Sequence, residues 1–269
     1  MTHVDQQRTT AAVAAQFEAI EALAAGLAPD EWHLPTALPG WDVQANVVHV
    51  IGTEAMLLGE PAPSLDIDLD GLDHVRNDIG KFNEAWVIAM ADASPAEVLD
   101  GLRRRIAERV EALAAVTPEA WDSESFTPAG PDTFGRFMRI RVMDMWMHEQ
   151  DIREAIGQPG HGRPEATEAA LDEIVTALGY VVGKRAGAPD GSSVTFDLTG
   201  EGARRVHVAV DGRAGLVDSL PGPATVTLRM PTLTLTRLAG GRSTDTSGVE
   251  VTGDADLAHK VLANLAFMI

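Results

Sequence analysis

The 269-residue chain contains no cysteine. That excludes disulfides, thiolate metal ligands and a cysteine nucleophile, so any thiol chemistry must take its sulfur from a cosubstrate. Aromatic residues are scarce, with one Tyr, seven Phe and five Trp. The core must therefore be built mainly from Ala, Leu and Val, which favours helix packing with a smaller strand-bearing part. Positive charge is also short: 21 Lys and Arg stand against 40 Asp and Glu, a formal net charge of −19. The acidic residues are spread along the chain rather than collected in a tail. Such a surface repels phosphate backbones and argues against nucleic-acid binding. No apolar run approaches the roughly 18 to 20 residues that span a bilayer. The opening MTHVDQQRTT lacks a signal peptide's apolar stretch, so a cytoplasmic protein without membrane partners is expected.

Hydrophobic residues make up 45% of the chain, enough for a proper core. Residues 5–27 place Val13, Phe17, Ile20, Leu23 and Leu27 at helical spacing. Asp42 caps a predicted helix from Val43 to about Leu58, after the loop LPTALPG. A third helical stretch is predicted over 74–91 and a fourth from Ser94-Pro95-Ala96-Glu97, a capping box with proline in the first turn, to about 115. TPAGPDTFG reads as loop, and a further helix runs to about Ile156. After GQPGHGRPE a helix of about twenty residues is expected from its Ala and Leu content. Past residue 188, SVTFDLTG, RRVHVAVDG, ATVTLRM and VEVTGD read as strands; MPTLTLTRLAGG fits either strand or short helix, and ADLAHKVLANLAFMI closes as a helix. The expected architecture is mainly α followed by α+β. A helical bundle occupies residues 1–160, and a connecting helix with a small α+β domain occupies 161–269.

One stripe of the helix containing MDMWMHEQDIR carries Arg141, Asp144, His148 and Asp151 among Met, Val, Ile and Trp. A buried carboxylate needs a cation or several hydrogen bonds. A metal ion is one such cation, and D-x-x-x-H offers it two ligands from one rigid helix. The plainer reading pairs Asp144 with Arg141 and leaves His148 as a core residue. A second helix, WDVQANVVHVIGTEAMLLGE, offers His49 beside Ala45, Asn46, Gly52 and Thr53, whose small or polar side chains suggest the lining of a cavity. Three ligands, His49, Asp144 and His148, would leave a coordination position open, as in catalytic sites.

Arg76, Asn77, Gly80, Asn83 and Glu84 form a polar stripe; Arg76 and Asn83 are candidates for the mouth of the pocket, although a solvated helix face looks the same. Glu149, Asp151 and Arg153 either orient His148 or pair with one another. His3, His33, His74, His161, His207 and His259 have no matching partners and read as surface residues. GQPGHG lacks the ending of a phosphate loop, and no G-x-S-x-G elbow is present.

PGWDVQANVVHVIGTE, HVRNDIGKFNEAW and DMWMHEQDIREAIGQPG resemble the mycothiol-dependent maleylpyruvate isomerase family, whose N-terminal domain is a DinB-like four-helix bundle. FDLTG, VTLRM, RLAGGR and VTGDADLAHKVLANL are similar to that family's C-terminal domain of sterol-carrier-protein-like fold. The resemblance implies a divalent metal, usually zinc, held by His49, Asp144 and His148; the family type has Glu where this chain has Asp144. It also implies a basic residue of the C-terminal domain at the site, for which Arg242 is the candidate, and mycothiol, a low-molecular-weight thiol of actinobacteria, as cosubstrate.

An open metal site lowers the pKa of a bound thiol or water, or polarises a carbonyl. On this basis the expected activity is thiol S-transfer to an electrophilic small molecule. Alternatives are cis–trans isomerisation of maleylpyruvate with the same thiol, metal-dependent hydrolysis, and a binding module that holds a ligand without turnover. A dicarboxylate substrate would need cationic clamps, for which Arg76, Arg141 and Arg242 are available.

Overall fold

The computed structural model describes residues 1–160 and 163–268. They divide into two compact units, Met1–Ala166 and Thr167–Ile269. The first unit contains α1 (Gln6–Gly26), α2 (Val43–Leu57), α3 (Asp78–Ala89), α4 (Pro95–Ala114), the single-turn α5 (Pro118–Trp121) and α6 (Phe134–Ala155). A short ribbon of β1 (Glu124–Ser125) and β2 (Asp132–Thr133) precedes α6, within a segment read from sequence as loop.

Helices α1, α2, α4 and α6 pack as a bundle, and α3 leans on α2. The second helix is central: every residue from Val43 to Ala55 is buried. Asp42 caps it by accepting from the Ala45 amide at 2.8 Å, a contact worth about 1 kcal/mol. Ser94 and Glu97 form the expected capping box on α4. The third helix starts later than its sequence period suggests. Asn77 is its cap, accepting from the Gly80 amide at 2.8 Å, and this side-chain bond ends the preceding turn, so residues 74–77 lie outside the helix.

Around the unit boundary the predicted twenty-residue helix is interrupted. It becomes α7 (Pro164–Thr176), α8 (Leu178–Tyr180) and a π turn over Val181–Arg185. The interrupted stretch packs closely on a strand. A Cβ at Gly183 would stand 2.5 Å from the Ala214 Cβ, and one at Gly179 would stand 3.4 Å from the Gly215 Cα.

The second unit is a five-stranded sheet of β3 (Ser193–Thr199), β4 (Arg204–Asp211), β5 (Arg213–Val217), β6 (Val226–Pro231) and β7 (Glu250–Gly253), in the order β5-β4-β3-β6-β7. Only the β3/β6 pair is parallel, with Phe196 opposite Leu228. Val194, Phe196, Leu198, Val208, Val226, Leu228 and Met230 alternate onto the buried face. Helices α9 (Thr232–Ala239) and α10 (Ala255–Ala263) cover it with Leu235, Leu238, Leu257 and Val261. The ambiguous MPTLTLTRLAGG thus divides between strand end and helix, and β5 is a strand that the sequence patterns did not single out. No described helix is long and apolar enough to cross a membrane.

Candidate metal centre

Two capped helices carry the site. Thr133 caps α6 by accepting from the Arg136 amide, and α6 then projects Arg141, Asp144, His148 and Asp151 along one stripe. Helix α2 places His49 opposite. The His49 Nε2 lies 3.1 Å from Asp144 Oδ2, and the His148 Nε2 lies 3.5 Å from Asp144 Oδ1. The two imidazole centroids are 4.4 Å apart. Nitrogen and oxygen atoms of all three side chains fall within 4.8 Å of one another.

This spacing fits a small divalent ion. Bonds of about 2.0–2.2 Å in a tetrahedral arrangement separate ligand atoms by about 3.3–3.6 Å, close to both carboxylate–imidazole distances. The donor set of imidazole and carboxylate suits zinc and its neighbours. In addition, the buried His49 Nδ1 has no hydrogen-bond partner among the described residues. Burial holds the His49 imidazole down from 6.5 to about 4, against the opposing pull of Asp144, so the ring is neutral at pH 7. Burial opposes ionisation of Asp144, but His49 and the Arg141 guanidinium outweigh it and keep the carboxyl well below the usual range. The Asp144 side chain is 33% exposed, against 5% for His49, so the centre opens on the carboxylate side.

The pairing of Arg141 with Asp144 anticipated by the plainer reading is present as well. Arg141 Nε also donates to Glu54 Oε1 at 2.8 Å, and Arg109 Nε donates to Glu54 Oε2 at 2.7 Å. Glu54 is fully buried between the two guanidiniums, and the chain Arg109–Glu54–Arg141–Asp144 links α4, α2 and α6.

The polar stripe around α3 resolves into separate roles. Arg76 is exposed in the turn before the helix, Asn77 is the cap, and Asn83 is half-buried. Gly80 sits in the first turn, where a Cβ would make ordinary van der Waals contact with Asn77 and Val75 at 3.5 Å and beyond, so no unusually close approach requires the glycine. Glu84 is buried and accepts from the Trp41 indole N–H at 2.9 Å. His74, read from sequence as a surface residue, lies 3.0 Å from Glu84, and its ring packs where a Gly40 Cβ would stand. Gly52 does not line a cavity. A Cβ there would come within 2.6 Å of Trp86, so its smallness admits the α3 indole. Glu149 pairs with Arg153 at 2.6 Å and Gln16 at 2.7 Å rather than with His148. Arg242 belongs to the second unit, just past α9, where it donates to the Gly240 carbonyl at 2.8 Å. His3 and His33 are exposed and face Asp122 and Asp42; His207 meets Thr195 at 2.9 Å, His259 is exposed, and His161 lies outside the described residues.

Two further neighbours complete the centre: Trp41, which sequence reasoning missed, and Asn46, which it read only as cavity lining. Trp41 lies 5.3 Å from the His49 ring and 5.8 Å from the His148 ring. The loop before α2 turns back to bring it there, pinned by the Trp41 amide on the Leu38 carbonyl and the Thr36 amide on the Trp41 carbonyl. Asn46 Oδ1 lies 2.7 Å from His148 Nδ1. Its signal was the i, i+3 spacing to His49, which puts both residues on one face of α2.

Comparison with known proteins agrees with this architecture. Residues 13–153 match the family model described as the mycothiol maleylpyruvate isomerase N-terminal domain, and residues 168–260 match the C-terminal domain model of the same family. A solved structure described as the mycothiol-dependent maleylpyruvate isomerase aligns over 95% of this chain and 98% of its own, with a TM-score of 0.60 at 16% identity. A histidine-to-alanine mutant of that isomerase aligns over the same shares with a TM-score of 0.56 at 15% identity. At such identities the likeness speaks to the fold. An uncharacterized protein of Mycobacterium tuberculosis is 28% identical over 143 residues, which are 53% of this chain and 54% of that protein. The match therefore spans about half the length of that relative. Since the family model for the N-terminal domain alone accounts for more than half of the residues, the chain belongs to the mycothiol maleylpyruvate isomerase family.

Proposed function

We propose that this protein is a metal-dependent cis–trans isomerase that uses mycothiol as its sulfur cosubstrate, with His49, Asp144 and His148 as the metal ligands. The observation that carries this reading is the convergence of two imidazoles and one carboxylate from α2 and α6 within 4.8 Å. A divalent ion held there, zinc by the chemistry of the donor set, supplies the Lewis acidity that makes a thiol ionise near pH 7.

The chain's own residues prepare that site. Burial keeps His49 neutral, so its nitrogen ligates without first losing a proton. Arg141, fixed by Glu54, balances the Asp144 carboxylate from one side, while the open side of Asp144 is the approach for cosubstrate. Trp41 packs beside both rings, with centroids 5.3 and 5.8 Å away. Arg76 and Asn83 are assigned the binding of substrate carboxylates; Arg76 is exposed and Asn83 half-buried.

The absence of cysteine requires the sulfur to come from outside the chain. Thiolate addition to a cis alkene carbon, rotation about the new single bond and expulsion of the same thiolate conserve every atom and leave the thiol unchanged. Sequence alone favoured S-transfer, in which sulfur stays in the product. Family membership shifts the reading to isomerisation, the reaction in the family's own description.

The test is incubation of zinc-loaded protein with maleylpyruvate and substoichiometric mycothiol, followed by chromatography and mass spectrometry. The expected product is the trans isomer, with unchanged mass and with mycothiol recycled. A product heavier by one thiol would restore S-transfer, one heavier by water would indicate hydrolysis, and no turnover with bound substrate would indicate a binding module.

A further inference from the structure

An imidazole ligates a metal through a nitrogen that bears no proton, so a neutral His148 must carry its proton on the other one. Its Nε2 faces Asp144 Oδ1. Its Nδ1 faces two oxygens, Asn46 Oδ1 at 2.7 Å and Asp151 Oδ2 at 3.5 Å. The nearer contact decides the matter, provided that the Asn46 amide cannot turn over.

The surroundings of Asn46 fix that amide. Its Nδ2 donates to the Asp42 backbone carbonyl at 2.8 Å and approaches the Thr36 hydroxyl at 3.4 Å. A carbonyl only accepts, so reversing the amide would set oxygen against oxygen at Asp42 and an NH2 group against His148. The Thr36 hydroxyl in turn donates to the Trp41 carbonyl at 2.8 Å, which leaves its lone pairs for Asn46. Asn46 is fully buried, so bulk water does not compete for either end of the amide.

We infer that Asn46 is a positioning residue. It holds the proton of His148 on Nδ1 and thereby directs the Nε2 lone pair at Asp144 and the space between the ligands. As a consequence, the loop from Thr36 to Asp42 fixes both the ring that covers the centre and the tautomer of one of its ligands. The inference rests on the metal reading above, but the tautomer is measurable without metal.

The experiment uses the full chain, metal-free and 15N-labelled, with long-range 1H–15N correlations reporting the two ring nitrogens of His148. A His148→Gln sample assigns the signals. The wild type is expected to show the Nδ1–H tautomer in large excess. Asn46→Leu, which removes the acceptor, should shift His148 toward Nε2–H facing Asp144 and weaken zinc binding by about 10–100-fold. Asn46→Asp, which keeps an oxygen toward the ring, should retain Nδ1–H. Loss of packing alone would lower the melting temperature of Asn46→Leu without moving the nitrogen shifts.

An Nε2–H tautomer in the wild type overturns the inference with no variant needed. So does a folded Asn46→Leu protein that keeps the wild-type signature, because Asp151 would then suffice. If the tautomer responds as expected but the wild type takes up no zinc, the metal reading fails while the Asn46 assignment stands.

Discussion

The neutral imidazole of His49 should make the metal-free protein acid-labile in a definite window. Its pKa falls from 6.5 in the unfolded chain to about 4 in the folded one. Between those values the unfolded chain holds a proton that the native site rejects. Stability is therefore complete above about pH 6.5, is lost progressively as pH falls toward 4, and has no further His49 contribution below that. The difference corresponds to about 3 kcal/mol. Asp144, whose folded value lies well below the ordinary carboxylate range, adds its own loss only at lower pH, so the two are separable. Urea unfolding of metal-free wild type and of His49→Gln at half-unit intervals from pH 7.5 to 4 measures the effect. The variant cancels the background from the other histidines. The wild type should lose about 3 kcal/mol more than the variant across the window. Parallel pH profiles would refute the reasoning, because they would mean that His49 is protonated in the folded site or solvated despite its burial.

The remaining predictions concern single substitutions. His148→Ala should reduce zinc affinity at least about 100-fold while far-UV circular dichroism stays unchanged, since α6 keeps its cap and its other buried contacts; equilibrium dialysis against a zinc chelator checks both proteins. Asp144→Asn should also weaken zinc, by removing the anionic ligand, and wild-type affinity in that variant would return Asp144 to a purely structural partnership with Arg141. Glu54→Gln strands two buried guanidiniums and should cost about 3–5 kcal/mol in urea unfolding. Gly52→Ala drives a methyl into Trp86 and should cost about 1–3 kcal/mol, with Trp fluorescence reporting the displaced indole.

What could be read from the sequence was the part that depends on period. The bundle helices follow from apolar spacing and caps such as Asp42 and Ser94, and the sheet follows from alternation at Val194, Phe196 and Leu198. The pairing of Asp144 with His148 on one helical face is a matter of i, i+4 geometry. What stayed hidden depends on contacts between segments. Nothing local to PTALPGW indicates that Trp41 returns to cover two imidazoles 5.3 and 5.8 Å away. Gly52 looked like room for a ligand because the sequence does not show Trp86 occupying that room. Asn77 ended the apparent helical run because a capping bond competes with helix propagation, and at that position the cap won. His74 was counted as superficial for want of a partner in sequence, whereas Glu84 reaches it from α3.

The relay from Arg109 through Glu54 and Arg141 to Asp144 has an electrostatic consequence beyond holding three helices together. Two cations and two anions sum to nothing, and an imidazole that ligates through a lone pair adds no charge of its own. A doubly charged ion seated against them would keep more of its formal charge than one enclosed by several carboxylates, with Asp151 behind His148 the further anion nearby. In a molecule whose formal charge is −19, that would leave an isolated positive well inside the bundle, attractive to sulfur and carboxylate anions that the rest of the surface turns away.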